Sequence, residues 1–592
     1  LPNPCLYYYL FFIFGADFAK TEFRGIPRKP IDTTGGNLYI LSAMAQQNTG
    51  TNKKSIIKAG LTLSVMTLAS RIMGLLREMT KAAFLGTSGY ADAFGIAFMI
   101  PNLFRRLFAE NAISVAFIPT FKGYLEEDTN SETHAETQLF ISSSLTLVSF
   151  LTAIITILGI AISPLIVPLF YTGETDAAFV AETIFLTRIM FPYLFVISAA
   201  AFFQGILNGS KIFAPSGFTP VLFNAIVIAV TYFLTPQLPN PHNLPQEAQA
   251  ARAMSFGVLT GGCFQALFQW PFVKSTGWKT TLTGLKNAFT NPGTRKVVSL
   301  IVPTIIGMAA YQLNDLVSSA LAGKIETGTV SSLQYSLRLQ ELILGIFAVS
   351  IGTVILPDLS GLAKNQKWKE FNSMLMQAIK IIALITIPVT FYSLISGKEI
   401  ISLLYKTRRF NDESVALTLK AFRFHIAGLF FIAVNRIISP AFYAQSNTKL
   451  PTLAGIISFG VNIVLALVLS LPLKGGGIAL ALSAASLVNT VFLFVFMKRM
   501  PSMDAKRLAA DMCVYVLRMI SFSLIAAAPV YIVRPYLVGM FEGRGRLAAY
   551  GLPVLLTAVI FAALGILILI IFKDETALAL ISKIGERIKK RS

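Results

Sequence analysis

Between Ser70 and Glu110 the chain places ionisable side chains where apolar ones would be expected. Arg71, Arg77, Glu78 and Lys81 fall inside one helix-length apolar stretch, and Asp92, Arg105, Arg106 and Glu110 fall in the next. A charge near the centre of a bilayer costs roughly 2.5–3.5 kcal/mol on insertion scales, so such a group must face a wet cavity, pair internally or reach an interface. At about 100° per residue, Ser70, Arg77 and Lys81 share one helix face, and Arg71, Gly74 and Glu78 share another close by. The cations outnumber the acids, and a guanidinium fork suits phosphate oxygens. The chemistry indicated is anion binding, with a sugar diphosphate as the natural class. The plainer alternative is that Glu78, Asp92 and Glu110 neutralise neighbouring arginines as structural pairs while Arg106 reaches an interface. Pro101 removes the hydrogen bond to Ala97 and predicts a kink; Pro101 and Gly74 are the expected hinges.

The second half adds Gln312, Asn314 and Asp315 in one stretch, Arg338 and Glu341 in another, and Arg436 in a third. Arg338 and Glu341 are spaced i, i+3 and read equally well as a structural pair. Arg436 has no acid near it in sequence, which makes it the better ligand candidate. Asp315 reads either as the neutraliser of an arginine or as part of a cation site. Arg188, Arg423, Arg518 and Arg534 lie near span ends, where long side chains reach water. Three scattered histidines (His134, His242, His425) and three scattered cysteines (Cys5, Cys263, Cys513) give neither a metal centre nor a disulfide framework. No phosphate-cradling G-x-x-x-x-G-K-[ST] loop occurs, so ATP is not the expected energy source. An intramembrane lipid diphosphatase would need an acid–base or nucleophile set near its phosphate, and no such cluster is seen.

These residues must be positioned by membrane helices. Of 592 residues 54% are hydrophobic and 13% charged, against about 25% charged in soluble domains, and mean hydropathy is +0.67. Apolar runs and breakers give fourteen spans: 56–84, 90–120, 137–170, 178–208, 215–235, 252–274, 295–323, 329–361, 372–397, 413–445, 451–471, 476–498, 509–533 and 548–572. The net charge of +21 lies mostly in short loops, where it sets orientation and does not signal nucleic acid. Lys53, Lys274, Lys296, Lys364, Lys498 and the tail from Lys583 to Arg591 put both termini inside. Lys406, Arg408 and Arg409 are exceptions. The tail reads as a hold on an anionic membrane surface.

Pro119 and Pro357 stand 238 residues apart, as do Gly123 and Gly361, Lys211 and Lys449, Gly217 and Gly455, and Asn224 and Asn462. The expectation is an all-α polytopic membrane protein of two six-helix halves plus two C-terminal helices, a recurrent transporter plan. The domains read as a leader at 1–55, an N-terminal lobe at 56–276, a linker or interfacial helix at 277–294, a C-terminal lobe at 295–500, and two extra helices with the basic tail at 501–592. Met44 is the expected start, with 1–43 a start-site artefact or disordered leader.

The motifs Ser70-Arg71-x-x-Gly74-x-x-Arg77, Asp92-Ala93-Phe94, Pro101-Asn102-Leu103-x-Arg105-Arg106-x-Phe108-Ala109-Glu110 and Ala116-Phe117-x-Pro119 resemble the MviN/MurJ family of lipid II flippases. Tyr335-x-x-Arg338-Leu339 and Arg436-x-x-x-Pro440-x-Phe442-Tyr443 also fit, and the resemblance runs from about Lys54 to the tail. It implies the fourteen-helix fold of the multidrug/oligosaccharidyl-lipid/polysaccharide exporter superfamily. It also implies a bacterial cytoplasmic (inner) membrane location and movement of lipid II to the outer leaflet for peptidoglycan synthesis, and hence a role in cell-wall biogenesis and cell shape. Its partners would be lipid II, membrane lipids and the peptidoglycan-synthesis machinery. The substrate-binding residues it carries over are Ser70, Arg71, Arg77, Asp92, Arg105, Arg338 and Arg436. Glu78 stands where relatives often have Asp. A family sodium site would match Asp315 and Asn462, but Ala466 stands at its third position. No cofactor is required; coupling would come from a monovalent cation or the membrane potential. Other readings are a flippase for another polyprenyl-diphosphate glycan, and a multidrug exporter, for whose cationic drugs an arginine-lined cavity is unfavourable.

Overall fold

The structure, a computed structural model, describes residues 52–580 and 582 apart from 112, 129–133, 173–176, 240–242 and 501. The expected start at Met44, nearly all of the leader, and the basic tail lie outside the described residues. The chain divides into two units, 1–62 and 63–592. The described part of the first is the beginning of helix α1; all the other helices belong to the second.

Among the described residues the chain is all-α. The first set of helices is α1 (Asn52–Leu85), α2 (Gly89–Phe104), α3 (Ile118–Asp128), α4 (Ala135–Ile166), α5 (Ala177–Met190), α6 (Pro192–Gly209), α7 (Ala214–Leu234) and α8 (Gln246–Ser275). A short α9 (Leu285–Thr290) follows. The second set is α10 (Pro292–Gly323), α11 (Thr329–Lys364), α12 (Trp368–Tyr405), α13 (Asp412–Ala427), α14 (Leu429–Tyr443), α15 (Lys449–Leu473) and α16 (Gly475–Met497). Helices α17 (Ala505–Phe541) and α18 (Leu552–Ile571) close the chain. Among the described residues eight helical stretches are long and apolar enough to cross a membrane, or nine if the bent pair α13–α14 counts as one span.

The helix boundaries carry the internal repeat further than single residues do. The starts of α1, α2, α4, α5, α6 and α7 recur in α10, α11, α12, α13, α14 and α15. The spacing is 240 residues for the first pair (52 to 292) and 235 for the last (214 to 449). The stretch expected as one span at 178–208 is two helix segments that together count as one span, Ala177–Gly209, whereas the one expected at 413–445 is a bent pair of helices. Pro192 begins α6, where its missing N–H costs nothing, and Gly428 separates α13 from α14 at a 42° bend. In the second span the irregularity comes after Pro101. The chain passes through π-helical turns at Arg105–Asn111 and Ile113–Phe117 before α3. Helix α1 runs unbroken through Gly74.

The segment expected as a linker is a loop followed by α9, held against α4. Gln138 accepts from the Lys279 N–H at 2.9 Å, Thr146 Oγ1 accepts from that of Thr283 at 2.8 Å, and Phe289 meets Phe150 edge-on. Two arginines expected to reach an interface are instead directed at acids. Arg534 of α17 forms a bidentate pair with buried Glu399 of α12 at 3.0 and 2.7 Å, and Arg518 lies 3.8 Å from buried Asp574.

Candidate functional site

The site is built on α1, α2, α10 and α11, where the two repeat-related sets meet. A cavity of about 1430 Å³, counting its open mouth, is lined among others by Arg77, Glu78, Lys81, Asn102, Arg106, Gln312, Asn314, Asp315, Gln334, Arg338 and Glu341. Both sets contribute cations, and of the expected substrate-binding residues Arg77 and Arg338 are in this lining.

Beside Arg338 and Glu341 of this lining, Arg71 of α1 donates to the backbone carbonyl of Glu341 at 3.3 Å, while Arg338 Nη1 donates to the Glu341 carboxylate at 3.3 Å. Arg436 of α14 is exposed. Two guanidiniums thus meet at Glu341, Arg71 on its backbone carbonyl and Arg338 on its carboxylate. Two glycines make the arrangement sterically possible: a Cβ at Gly74 would run into the Arg338 guanidinium, and one at Gly345 into that of Arg71. Arg71 lines a smaller recess with Leu75, Arg338, Glu341 and Leu342.

Further along α1, Arg77 pairs with Glu78 at 2.7 Å and lies 5.9 Å from the centroid of the Phe98 ring. Lys81, 3% exposed, donates to Gln334 Oε1 of α11 at 2.7 Å. Arg105 donates to Asn102 at 2.8 Å and is not part of the lining; its neighbour Arg106 is, with Gln312 at 3.2 Å and Asp315 at 3.4 Å. A π-helical turn beginning at Arg105 shifts the phase of the helix, and no wheel drawn for a regular α-helix anticipates it.

Asp92 occupies a different place from the one its candidacy implied. It is buried, and its two oxygens accept the backbone N–H groups of Gly328 and Ser331 at 2.6 and 2.7 Å. Helix α11 starts after Gly328, which has φ 90° and no side chain with which to cap the helix. A carboxylate from α2 therefore fills the N-terminal capping role, favoured by both hydrogen bonding and the helix dipole. Ser70 is half-buried and outside the lining. Asn462 donates to Asn314 at 2.6 Å and to Ser318 at 3.4 Å, whereas Asp315 faces Arg106. The expected ion-site pair thus has separate partners, and Asn462 Oδ1 is buried without one.

Around Asp92 the two sets are fastened together, closing one end of the cavity. Tyr335 donates to the Gly86 carbonyl at 2.9 Å, and the hydroxyls of Thr87 and Ser414 lie 2.8 Å apart. Arg409 donates to the Phe84 carbonyl at 3.3 Å and to Gln246 at 2.7 Å, and pairs with Glu247. Lys406 pairs with Asp412 at 2.5 Å. Two of the three basic residues that broke the loop-charge pattern are thereby matched by acids in the same region.

Many apolar helices around a cavity lined by cations and carboxylates from both sets define a multi-pass helical membrane protein. Solved structures share the fold. One described as "Lipid II flippase MurJ, inward closed conformation" matches with a TM-score of 0.69 and 26% identity, covering 87% of this chain and 99% of its own. An inward-facing MATE family transporter of the MOP superfamily matches at 0.58 with 14% identity, covering 76% and 98%. The chain belongs to the MurJ family, whose model, described as "Lipid II flippase MurJ", matches residues 81–542. Relatives include the "Probable lipid II flippase MurJ" of Treponema pallidum (strain Nichols), 46% identical over 89% of this chain and 98% of its own length. The "Lipid II flippase MurJ" of Burkholderia cenocepacia is 31% identical over 75% and 84%.

Proposed function

We propose that this chain is a lipid II flippase, carrying the lipid-linked peptidoglycan precursor from the inner to the outer leaflet of the bacterial cytoplasmic membrane by alternating access. Family membership supports the substrate, and the meeting of Arg71 and Arg338 at Glu341, one on its backbone carbonyl and one on its carboxylate, carries the reading. A diphosphate is the ligand class that answers a surplus of guanidiniums. Arg77 and Arg106, already partnered by Glu78 and Asp315, line the route. Asp92 acts at one remove, by holding α11 in register.

In this reading the repeat-related helices form two six-helix lobes, 56–276 and 295–500, joined through 277–294 and followed by two extra helices, fourteen spans in all. Both termini are cytoplasmic. The fastened end around Asp92 faces outward, because its loops are those poor in unmatched Lys and Arg. The cycle parts the lobes at that end and closes them at the other, while the polyprenyl tail stays in the bilayer. An inside-negative potential favours outward movement of an anion by roughly 2.3 kcal/mol per charge per 100 mV. A monovalent cation at Asp315 or Asn462 is the alternative source of drive.

Depletion rescue tests the proposal. Cells lacking their own flippase and supplied with the wild-type chain should present lipid II on the outer face. Arg71→Ala and Arg338→Ala, expressed at equal level, should each cut that signal at least tenfold, the order expected for one lost hydrogen bond to a charged group. Full rescue by either variant would remove the guanidinium cluster from the mechanism.

A further inference from the structure

We propose that Lys81 is a second anion-binding point of the cavity, at its fastened end, where a carboxylate of the cargo replaces Gln334 as the partner of the ammonium. The inference rests on the lipid II reading and deepens it.

Lys81 lines the cavity and is 3% exposed. Its ammonium has three N–H donors, yet its hydrogen-bond partner is one neutral amide, Gln334 Oε1 at 2.7 Å. The rings of Tyr335 and Phe94 lie over it, 5.0 and 5.7 Å from Nζ. Among the described residues it makes no ion pair, because the nearby acids are committed elsewhere. Glu78, one turn before it, holds Arg77 at 2.7 Å, and Asp92 gives both oxygens to the amides of Gly328 and Ser331. A cation withdrawn from water beside a neutral partner is unfavourable until an anion arrives.

Position selects the anion. Ten residues of helix separate Lys81 from Arg71, roughly 15 Å at 1.5 Å per residue, too far for one diphosphate to bridge. Lipid II carries a second kind of anion, the carboxylates of its peptide stem. With the diphosphate at Arg71, Arg338 and Arg436, a stem reaching towards the fastened end meets Lys81. Gln334 belongs to α11 and Lys81 to α1, so replacing the amide with a carboxylate also removes one tie between the two sets of helices. Arrival of the cargo would in this way loosen the end through which it must leave.

The test uses the purified full chain in lipid nanodiscs, titrated with lipid II and with a polyprenyl-diphosphate disaccharide lacking the peptide. Lys81→Met should bind lipid II about tenfold more weakly or worse, as one lost hydrogen bond to a charged group implies, and bind the peptide-free lipid as the wild type does. Its thermal midpoint should not fall, because an apolar chain of similar length replaces a buried cation. Lys81→Arg should restore lipid II binding, and Gln334→Leu should bind lipid II at least as tightly as the wild type. Unchanged lipid II affinity in Lys81→Met, an equal loss for both lipids, or an equal loss in Gln334→Leu would each overturn the proposal. A wild-type chain that binds neither lipid would instead overturn the lipid II reading itself.

Discussion

At the level of single residues, the site depends on what is small as much as on what is charged. Arg71 lies over Gly345, and Arg338 lies over Gly74 in the opposite sense. Any side chain at either glycine takes the space of a guanidinium. Gly345→Ala should therefore weaken lipid II binding about tenfold by displacing Arg71, the scale of one charge-assisted contact. Gly361→Ala, where nothing lies within 4 Å of an added methyl, serves as the matched control and should bind normally in the same titration. The arginines were legible in the sequence because a cation in an apolar run has a cost that demands an explanation. Their glycine partners were not, since each relation spans some 270 residues and leaves no local pattern. Asp92 shows the same limit: its acidity stood out, but the two amides that use it belong to another helix. The choice of Arg106 over Arg105 turned on a local change of helix type that composition does not announce.

At the level of elements, hydropathy and helix breakers located the helices well, and their boundaries expose a repeat that matching residues only hinted at. The stretch across Pro192 still counts as one span, Ala177–Gly209, whereas the bend of 42° at Gly428 was missed because an apolar stretch reads continuously across it. Helix α17 was read as an addition to the bundle, and its anchoring could not be foreseen. Arg534 reaches Glu399, which is buried, and a pair of this kind resists the loss of one member far more than the exchange of both. Glu399→Ala should lower the unfolding free energy by about 3 kcal/mol, read as a fall in thermal midpoint, because it leaves a half-buried guanidinium without its carboxylate. The double variant Glu399→Leu with Arg534→Met should recover most of that loss.

At the level of the whole molecule, the contacts around Asp92 join the two sets of helices at one end of the cavity, so transport requires that they part. Thr87 and Ser414 offer a direct handle, since their hydroxyl oxygens lie 2.8 Å apart across the junction. In a chain freed of its native cysteines, Thr87→Cys with Ser414→Cys should form a disulfide under mild oxidation. Appearance of lipid II on the outer face should then stop and should return on reduction, with either single variant unaffected. Transport that continued through a fully formed disulfide would mean that this end does not open.

The tie between Asp92 and the first turn of α11 bears on how such an opening begins. While it holds, one carboxylate and two backbone amides satisfy one another out of contact with solvent. Once α2 draws away, all three become bare polar groups inside a membrane protein, and water is the partner that can meet them at once. The seam should accordingly be wetted as it separates, so that the first thing admitted through the opening end is not the cargo but its solvent.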